Sequence, residues 1–288
     1  MNGVAQYRSC ENYDTTVKGA KVYVDYINKR LKILDYQNSS ENVITEIINF
    51  AEEKGLGKII FNCRSWFLQT FRDRGFVVEG IIKGFFQGEH AYCVSYFIDP
   101  GRKSTLSKAK GDYILSQCLS ESKQNYPPGK YNHRIRQADA GDIPEMIKLF
   151  AKVFKTYPSP IFNRDYLGKV MLEQALYKVA EEDGEIISVA SADMDKLNLN
   201  AEITDCATFP EHRGKGIMRH LISAIETDLL KKGFCTVYSL SRAVNPGINK
   251  TLSRLEYKYG GRLVNNCHIC GGFEDMNIWV KKLENKQK

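Results

Sequence analysis

The sequence predicts an α/β (α+β) chain, and three observations carry that reading. A strand-like segment, residues 201–208, runs into a glycine loop and then an amphipathic helix. An Asp183-Gly184 pair joins two apolar runs in the manner of a tight hairpin. Strand and helix patterns also restart on either side of a Pro-Pro-Gly break within residues 125–132. At 288 residues, with 43% hydrophobic and 26% charged side chains, the chain suits one large globular domain or two smaller ones. The break divides it into an N-terminal α/β domain (1–125), a linker (126–132) and a second domain (133–288).

Before the break, residues 43–54 form an amphipathic pattern that stops at Gly55, and Lys58-Ile-Ile-Phe-Asn62 reads as a buried strand. Residues 67–74 suggest a short helix ending in Arg74-Gly-Phe76, and 77–83 and 91–98 suggest paired strands. After the break, a strand opening at His133 leads to a helix with Asp142 as N-cap, Pro144 in its first turn and Glu145 beyond. Residues 162–180 read as a second helix, and 177–192 as the hairpin. Next come the strand carrying Glu202, the loop, and a helix whose apolar face holds Ile217, Met218, Leu221, Ile222, Ile225 and Leu229. A strand at 235–240, a short helix near 249–254 and a strand ending at 276–280 complete the order.

Composition excludes several classes of function. No run approaches the roughly 20 apolar residues that a membrane helix needs. Met1-Asn-Gly-Val-Ala-Gln-Tyr-Arg8 lacks the apolar core of a signal peptide, so a cytoplasmic location is the default expectation. The formal charge is +7, but the basic residues are scattered among acidic ones. The denser stretches, 101–110 and 281–288, read as solvated surface and a frayed tail, which argues against nucleic acid. Of the eight cysteines, several sit in apolar runs as small hydrophobes. Cys267-His-Ile-Cys270 has half a zinc site's spacing with no second pair to close it, so no metal is expected.

The loop Phe209-Pro-Glu-His-Arg-Gly-Lys-Gly-Ile-Met218 is the most informative stretch. Glycines at 214 and 216 allow positive φ and close approach of a ligand to the backbone. Free amides at the start of the following helix, with its dipole behind them, favour an anion such as a pyrophosphate. An ordinary strand-to-helix turn is the bland alternative.

This arrangement resembles the coenzyme A loop of the GNAT-type N-acetyltransferases, Arg/Gln-x-x-Gly-x-Gly/Ala. Arg213 and Gly216 match its first and fourth positions, while Met218 stands where Gly or Ala is usual. The resemblance implies acetyl-CoA as co-substrate, held by Ala207, Thr208, Phe209, Arg213, Gly214, Lys215, Gly216, Ile217, Met218 and Asn249. It implies a mixed, mostly antiparallel GNAT acyltransferase fold through residues 133–283. The strand, short helix, strand, strand order of the N-terminal part resembles the closing half of such a domain. That part reads as a smaller, degenerate GNAT-like half-domain, with an unrelated α/β module as the alternative.

Acetyl transfer to an amine needs a base, a polarised carbonyl and a proton for the departing thiolate. By position in the resemblance, the amide of Ala207 or Thr208 serves the carbonyl. Glu202 is the candidate base and Asp205 the second choice. Strand alternation places 202, 204, 206 and 208 on one face and Asp205 on the other. Tyr257 is the candidate acid, one residue late against the family pattern, with core packing as its alternative.

Residues 241–249, 255–266 and Ile269-Cys-Gly-Gly-Phe-Glu-Asp-Met-Asn277 are similar to the β-lysine N-acetyltransferase family. That resemblance implies transfer to the ε-amine of β-lysine, giving the compatible solute Nε-acetyl-β-lysine. Arg242 is then the candidate clamp for the substrate carboxylate, Glu274 for its second ammonium, and Asn266 a further contact. The partners expected are a small amino acid and acetyl-CoA, with no membrane and a homodimer as candidate assembly. A protein or peptide N-acetyltransferase and a non-catalytic acetyl-CoA sensor are the competing readings.

Overall fold

Thirteen strands join into one sheet in the computed structural model, which describes residues 11–36, 42–120 and 133–284. The first half contains β1 (Tyr13–Val17), β2 (Ala20–Asp25), β3 (Arg30–Asp35), α1 (Val43–Glu53), β4 (Lys58–Cys63), α2 (Leu68–Arg72), β5 (Val77–Phe86), β6 (Glu89–Phe97) and α3 (Lys108–Ser120). The second contains β7 (Arg134–Gln137), α4 (Ile143–Val153), α5 (Arg164–Glu173), β8 (Ala175–Glu182), β9 (Glu185–Asp195), β10 (Asn200–Thr208), α6 (Ile217–Lys231), β11 (Thr236–Arg242), α7 (Pro246–Arg254), β12 (Lys258–Ile269) and β13 (Gly272–Lys282). Across the sheet the order is β1-β2-β3-β4-β6-β5-β12-β13-β11-β10-β9-β8-β7. Among the described residues only β3–β4 and β10–β11 run parallel, each pair joined by a crossover helix as parallel pairing requires. The expected break at 126–132 lies outside the described residues.

That strand order is nearly a palindrome. The segment β1-β2-β3-α1-β4-α2-β5-β6 repeats β8-β9-β10-α6-β11-α7-β12-β13 in sequence, in sheet position and in strand direction. The two copies meet where β5 pairs antiparallel with β12 at Gly80 and Gly261. Glycine is required at this seam. A Cβ on Gly80 would stand 2.6 Å from Ile278 Cδ1, and one on Gly261 would stand 2.4 Å from the Glu79 carbonyl oxygen. Buried polar contacts extend the junction along β12. Lys58 Nζ pairs with Glu79 at 2.6 Å and donates to the Val264 carbonyl at 2.8 Å, and the Val264 amide donates to Glu79 at 2.6 Å. Further along, Arg30 donates to the Asn266 carbonyl at 2.8 Å, and the His268 amide to Asn28 at 2.8 Å.

Helices form where the apolar spacing demanded them. On α6, Ile217, Leu221, Ile222, Ile225 and Leu229 are buried against Ile203, Val237 and Trp279. On the opposite face of the sheet, α4 and α5 cover Val179, Val189 and Ala207. The hairpin β8–β9 turns at Asp183 and Gly184, both at positive φ, as a two-residue connection requires.

Three expectations are corrected or refined, and one region is added. The helix expected over 162–180 ends at Glu173, because Ala175–Ala180 is a strand buried on both faces, a pattern that periodicity alone does not separate from helix. Asp142 stands at the N-cap position of α4, as expected, but its side chain makes no cap hydrogen bond there. Its carboxylate accepts from the Asp139 amide at 2.9 Å and pairs with Arg136 at 2.6 Å, and Asp139 caps the preceding 3-10 turn. The basic stretch 101–110 is not all solvated. Arg102 is buried, donating to the Lys29 carbonyl at 2.6 Å and to that of Asn265, and α3 follows it. The hairpin β1–β2 and strand β3, unread in the sequence, form the outer edge of the first copy.

Candidate active site

The parallel pair β10–β11 holds register only at Asn200–Thr236, Ala201–Val237 and Glu202–Tyr238. Beyond Glu202 the strands part, and the Ile203 carbonyl accepts from the Ser239 hydroxyl at 2.8 Å. A cavity of about 360 Å³ fills the opening and extends over the sheet face toward the first copy of the repeat. Its walls come from β10 and β11, from the α4–α5 connection through Tyr157 and Ser159, from Asn266 and Cys267 of β12, and from Arg30, Lys32 and Asn62 of the first copy. The α4–α5 connection is tied to both neighbours. The Pro158 carbonyl accepts from Asn28 at 3.3 Å, and Thr156 accepts from the amides of Cys270 and Gly271.

A bulge in β10 changes which residues face this cavity. Thr204 lies opposite Ser191, but Ala207 lies opposite Val189, so β10 carries one extra residue, with Asp205 at φ +48. Alternation therefore inverts. Cys206 packs with Ile203 against α6, while Ala207 joins the core under α4 and α5. The expectation that 202, 204, 206 and 208 share a face fails beyond 204. Asp205 instead joins Glu202 and Thr204, and both carboxylates reach one cavity.

Three carboxylates thus gather there, with Asp193 on β9 opposite Glu202. Burial pushes the Glu202 carboxyl above its usual range, against the opposing pull of Lys32 and the Tyr238 hydroxyl. Asp205 is buried and accepts from Tyr177, and from Ser191 at 3.2 Å. Burial raises it too, while the hydroxyls of Tyr177, Tyr157 and Ser191 oppose the rise. Asp193 is raised by burial and by the charges of Asp205 and Glu202.

At the other end of the splay, Gly214 and Gly216 both take φ +78, with open space where a Cβ would stand. Gly216 is the left-handed N-cap of α6. Among the described residues no acceptor is found for the amides of 214–218, so they are available to an anion. Arg213 Nε donates to the Thr208 carbonyl at 3.2 Å, and Lys215 Nζ lies 3.4 Å from His212 Nδ1, both on an exposed rim. The open glycines and unpaired amides make this loop a candidate site for an anion such as a diphosphate, next along the chain from the cavity-lining residues of β10.

The remaining expected site residues divide sharply. Asn266 lines the cavity, and its buried Oδ1 has no hydrogen-bond donor among the described residues. Arg242 also lines it, but Arg242 and Glu274, expected to hold opposite ends of a substrate, hold each other at 2.6 Å. Asn249 is fully buried and its amide is spent within the fold. It accepts from Ser241, Asn277 and Trp279 and donates to the Arg242 and Asn245 carbonyls. Tyr257 sits in the α6 core and does not line the cavity, and burial with the nearby Glu226 carboxylate holds its phenol well above the ordinary value. Phe209 packs on the α4–α5 core, and Thr208 Oγ1 lies 2.7 Å from Ser188 Oγ. Sequence reasoning missed Lys32, Asp193, Tyr157, Tyr177 and Tyr238, which come from separate segments and carry no common motif. The cysteines of the described residues are free, and no group of metal-ligating side chains forms among those residues. Among the described residues, no helix is long and apolar enough to cross a membrane.

A strand, a glycine-lined helix start and a splayed parallel pair define an acyltransferase of the GNAT class, and the profile of the acetyltransferase (GNAT) family matches residues 143–251. A β-lysine N(6)-acetyltransferase of Methanosarcina mazei is 36% identical over 271 residues, which is 87% of this chain and all of that protein. The N-acetyltransferase YodP of Bacillus subtilis is 33% identical, over 90% of this chain and 94% of its own. A β-lysine N(6)-acetyltransferase of Methanococcus maripaludis is 28% identical over 91% and 96%. The chain belongs to the GNAT acetyltransferase family, in the group that includes these relatives, and it is an acetyl-CoA-dependent N-acetyltransferase. The match to these relatives extends over both halves of the chain, including the first copy of the repeat.

Proposed function

We propose that this chain transfers the acetyl group of acetyl-CoA to the ε-amine of β-lysine, giving Nε-acetyl-β-lysine, a compatible solute. The observation that carries this reading is the cavity itself. It is small, it holds three carboxylates together with cationic side chains, and it lies where β10 and β11 part. A diamino acid carries two ammonium groups and one carboxylate, so it needs both signs of charge in one enclosed space. The similarity to two β-lysine N(6)-acetyltransferases supports the choice of substrate.

The amines of such a substrate are protonated in water, since a lysine-type ammonium titrates at roughly pH 10.4. Glu202, at the last rung before the strands part, is the group that takes the proton. Its pKa, raised by burial, brings its basicity toward that of the amine. Asp205, already accepting from two hydroxyls, and Asp193 add two further carboxyl groups to the polar wall of the cavity around the incoming diamino acid. Acetyl-CoA supplies an activated acyl group, with its diphosphate on the amides of 214–218. The backbone amides of Ala207 and Thr208, just past the bulge, are the candidates for the acetyl carbonyl. The first copy of the repeat matches the catalytic one in topology yet has no glycine between Tyr36 and Asn42, where the coenzyme loop would fall. This supports its reading as a degenerate GNAT-like unit that now walls the substrate site.

The test is CoA release from acetyl-CoA with β-lysine, α-lysine, a polyamine and a lysine peptide. A kcat/KM favouring β-lysine by about a hundredfold, roughly 2.7 kcal/mol of transition-state discrimination, is expected. Preference for the peptide sinks the small-molecule reading, and acetyl-CoA binding without turnover on any amine sinks the catalytic one.

A further inference from the structure

We infer that Lys32, on the third strand of the non-catalytic repeat, recognises the substrate's carboxylate and thereby restricts the enzyme to amino acids. The inference rests on the small-molecule reading above and names a specificity residue within it.

Besides Lys32, Arg30 and Arg242 reach the cavity as cationic side chains, and both are already matched. Arg30 is buried, pairs with Asp25 at 2.9 Å and spends a further N–H on the Asn266 carbonyl at 2.8 Å. Arg242 pairs with Glu274 at 2.6 Å and directs another N–H to Cys270 Sγ at 3.3 Å. Lys32 Nζ has no hydrogen bond and no direct ion pair among the described residues; it lies over the Tyr23 ring, 5.6 Å from Nζ to centroid, and the Asp25 and Glu202 carboxylates act on it only at longer range. A half-buried ammonium with no direct partner costs free energy in the free enzyme, and a bound carboxylate at contact distance offsets that cost.

A second observation points to a ligand at the same end. Asn266 is 1% exposed, lines the cavity, and has an orphaned side-chain oxygen. Its backbone carbonyl is held by Arg30, two residues before Lys32 on the same strand. An acceptor with no donor and a cation with no direct partner in one cavity match a β-amino acid, whose carboxylate and ammonium are separated by two carbons. Such a substrate would satisfy Lys32 with its carboxylate and Asn266 with its β-ammonium. The distal chain then runs toward Glu202 and the parted strands. Since Lys32 belongs to the repeat that lacks a glycine loop, substrate choice and cofactor binding are divided between the two copies.

The experiment compares β-lysine with 1,4-diaminopentane, its decarboxylated counterpart, in the wild-type enzyme, Lys32→Met and Lys32→Arg. Methionine, unbranched and one atom shorter, removes the charge and its N–H donors while keeping most of the stem. Loss of one charge-assisted contact corresponds to roughly 10- to 150-fold. The ratio of kcat/KM for β-lysine over 1,4-diaminopentane is expected to fall by at least about tenfold in Lys32→Met, chiefly through KM for β-lysine. Lys32→Arg is expected to keep most of the preference. An unchanged ratio in Lys32→Met overturns the inference, as does an equal fall on both amines. Lys32→Gln provides the same comparison if the methionine variant does not fold. Should the wild-type enzyme prefer α-lysine, the substrate assignment fails alone, and the same ratio taken against 1,5-diaminopentane decides the role of Lys32. Activity confined to amines without a carboxylate overturns both.

Discussion

Replacing Glu202 with glutamine should cost the enzyme about a thousandfold in kcat/KM at pH 7. Glutamine keeps the size and planarity of the side chain, and Glu202 is only half-buried at the apex of the splay, so packing survives. What disappears is the proton acceptor. Without it, the reaction depends on substrate whose amine is already neutral. For an amine that titrates at roughly pH 10.4 in water, that fraction at pH 7 is about 1 in 2,500, a penalty of about 4.6 kcal/mol. This lies within the usual contribution of general-base catalysis, about 10²–10⁴-fold. The assay is initial-rate CoA release over pH 6–10 with β-lysine below its KM. In the wild-type enzyme log kcat/KM should level off above the raised Glu202 pKa. In Glu202→Gln it should climb with unit slope up to the pKa of the free amine. Asp205→Asn should lose less, because Asp205 is engaged with Tyr177 and Ser191 and is not the group that takes the proton. A Glu202→Gln profile parallel to wild type and within fivefold of it would refute the assignment of Glu202 as base.

Two further outcomes follow from the geometry. Gly216→Ala places a Cβ at φ +78 with nothing within 4 Å, so its cost is conformational, about 1–2 kcal/mol, and its methyl stands on the surface offered to the diphosphate. A lower Tm by thermal denaturation together with at least a tenfold rise in KM for acetyl-CoA is expected, and an unchanged KM would remove the loop from the cofactor site. Burial raises the Asp205 pKa in the folded state, so the native protein holds that proton more tightly than the unfolded chain. Its contribution to stability is therefore present at low pH and is lost as pH rises from about 4, the unfolded value, through the raised native one. Asn at 205 is neutral throughout and keeps an acceptor for Tyr177 and Ser191. The Tm of Asp205→Asn minus that of wild type should thus increase between pH 4 and pH 8, and a decrease would contradict the raised native pKa.

The sequence by itself determined those parts of the protein whose signal is local. The apolar face of α6, the Asp183-Gly184 turn and the glycines that open α6 are each written within a few consecutive residues, and each was readable from spacing and backbone preference. The mostly antiparallel mixed sheet and the acetyl-CoA chemistry were legible through one loop motif and its flanking strand and helix. Tertiary structure decided the rest. One inserted residue at Asp205 inverted the alternation of β10 and put two carboxylates on the same face, because strand partners, not the strand's own sequence, set where a bulge falls. Arg242 and Glu274, both sensible substrate contacts by residue type, neutralise each other across β11 and β13. Asn249 is an anchor for five internal hydrogen bonds rather than a free amide. Lys32 lies 170 residues from Glu202 in the chain, in a half whose kinship to the other shows in strand order and in no shared motif. Its charge acquires a meaning only once β3 is folded over the cavity and every other cation there is found to be paired. Local patterns fix which residues can form an element. Which charges remain unmatched depends on all the partners at once, and long-range packing alone supplies those.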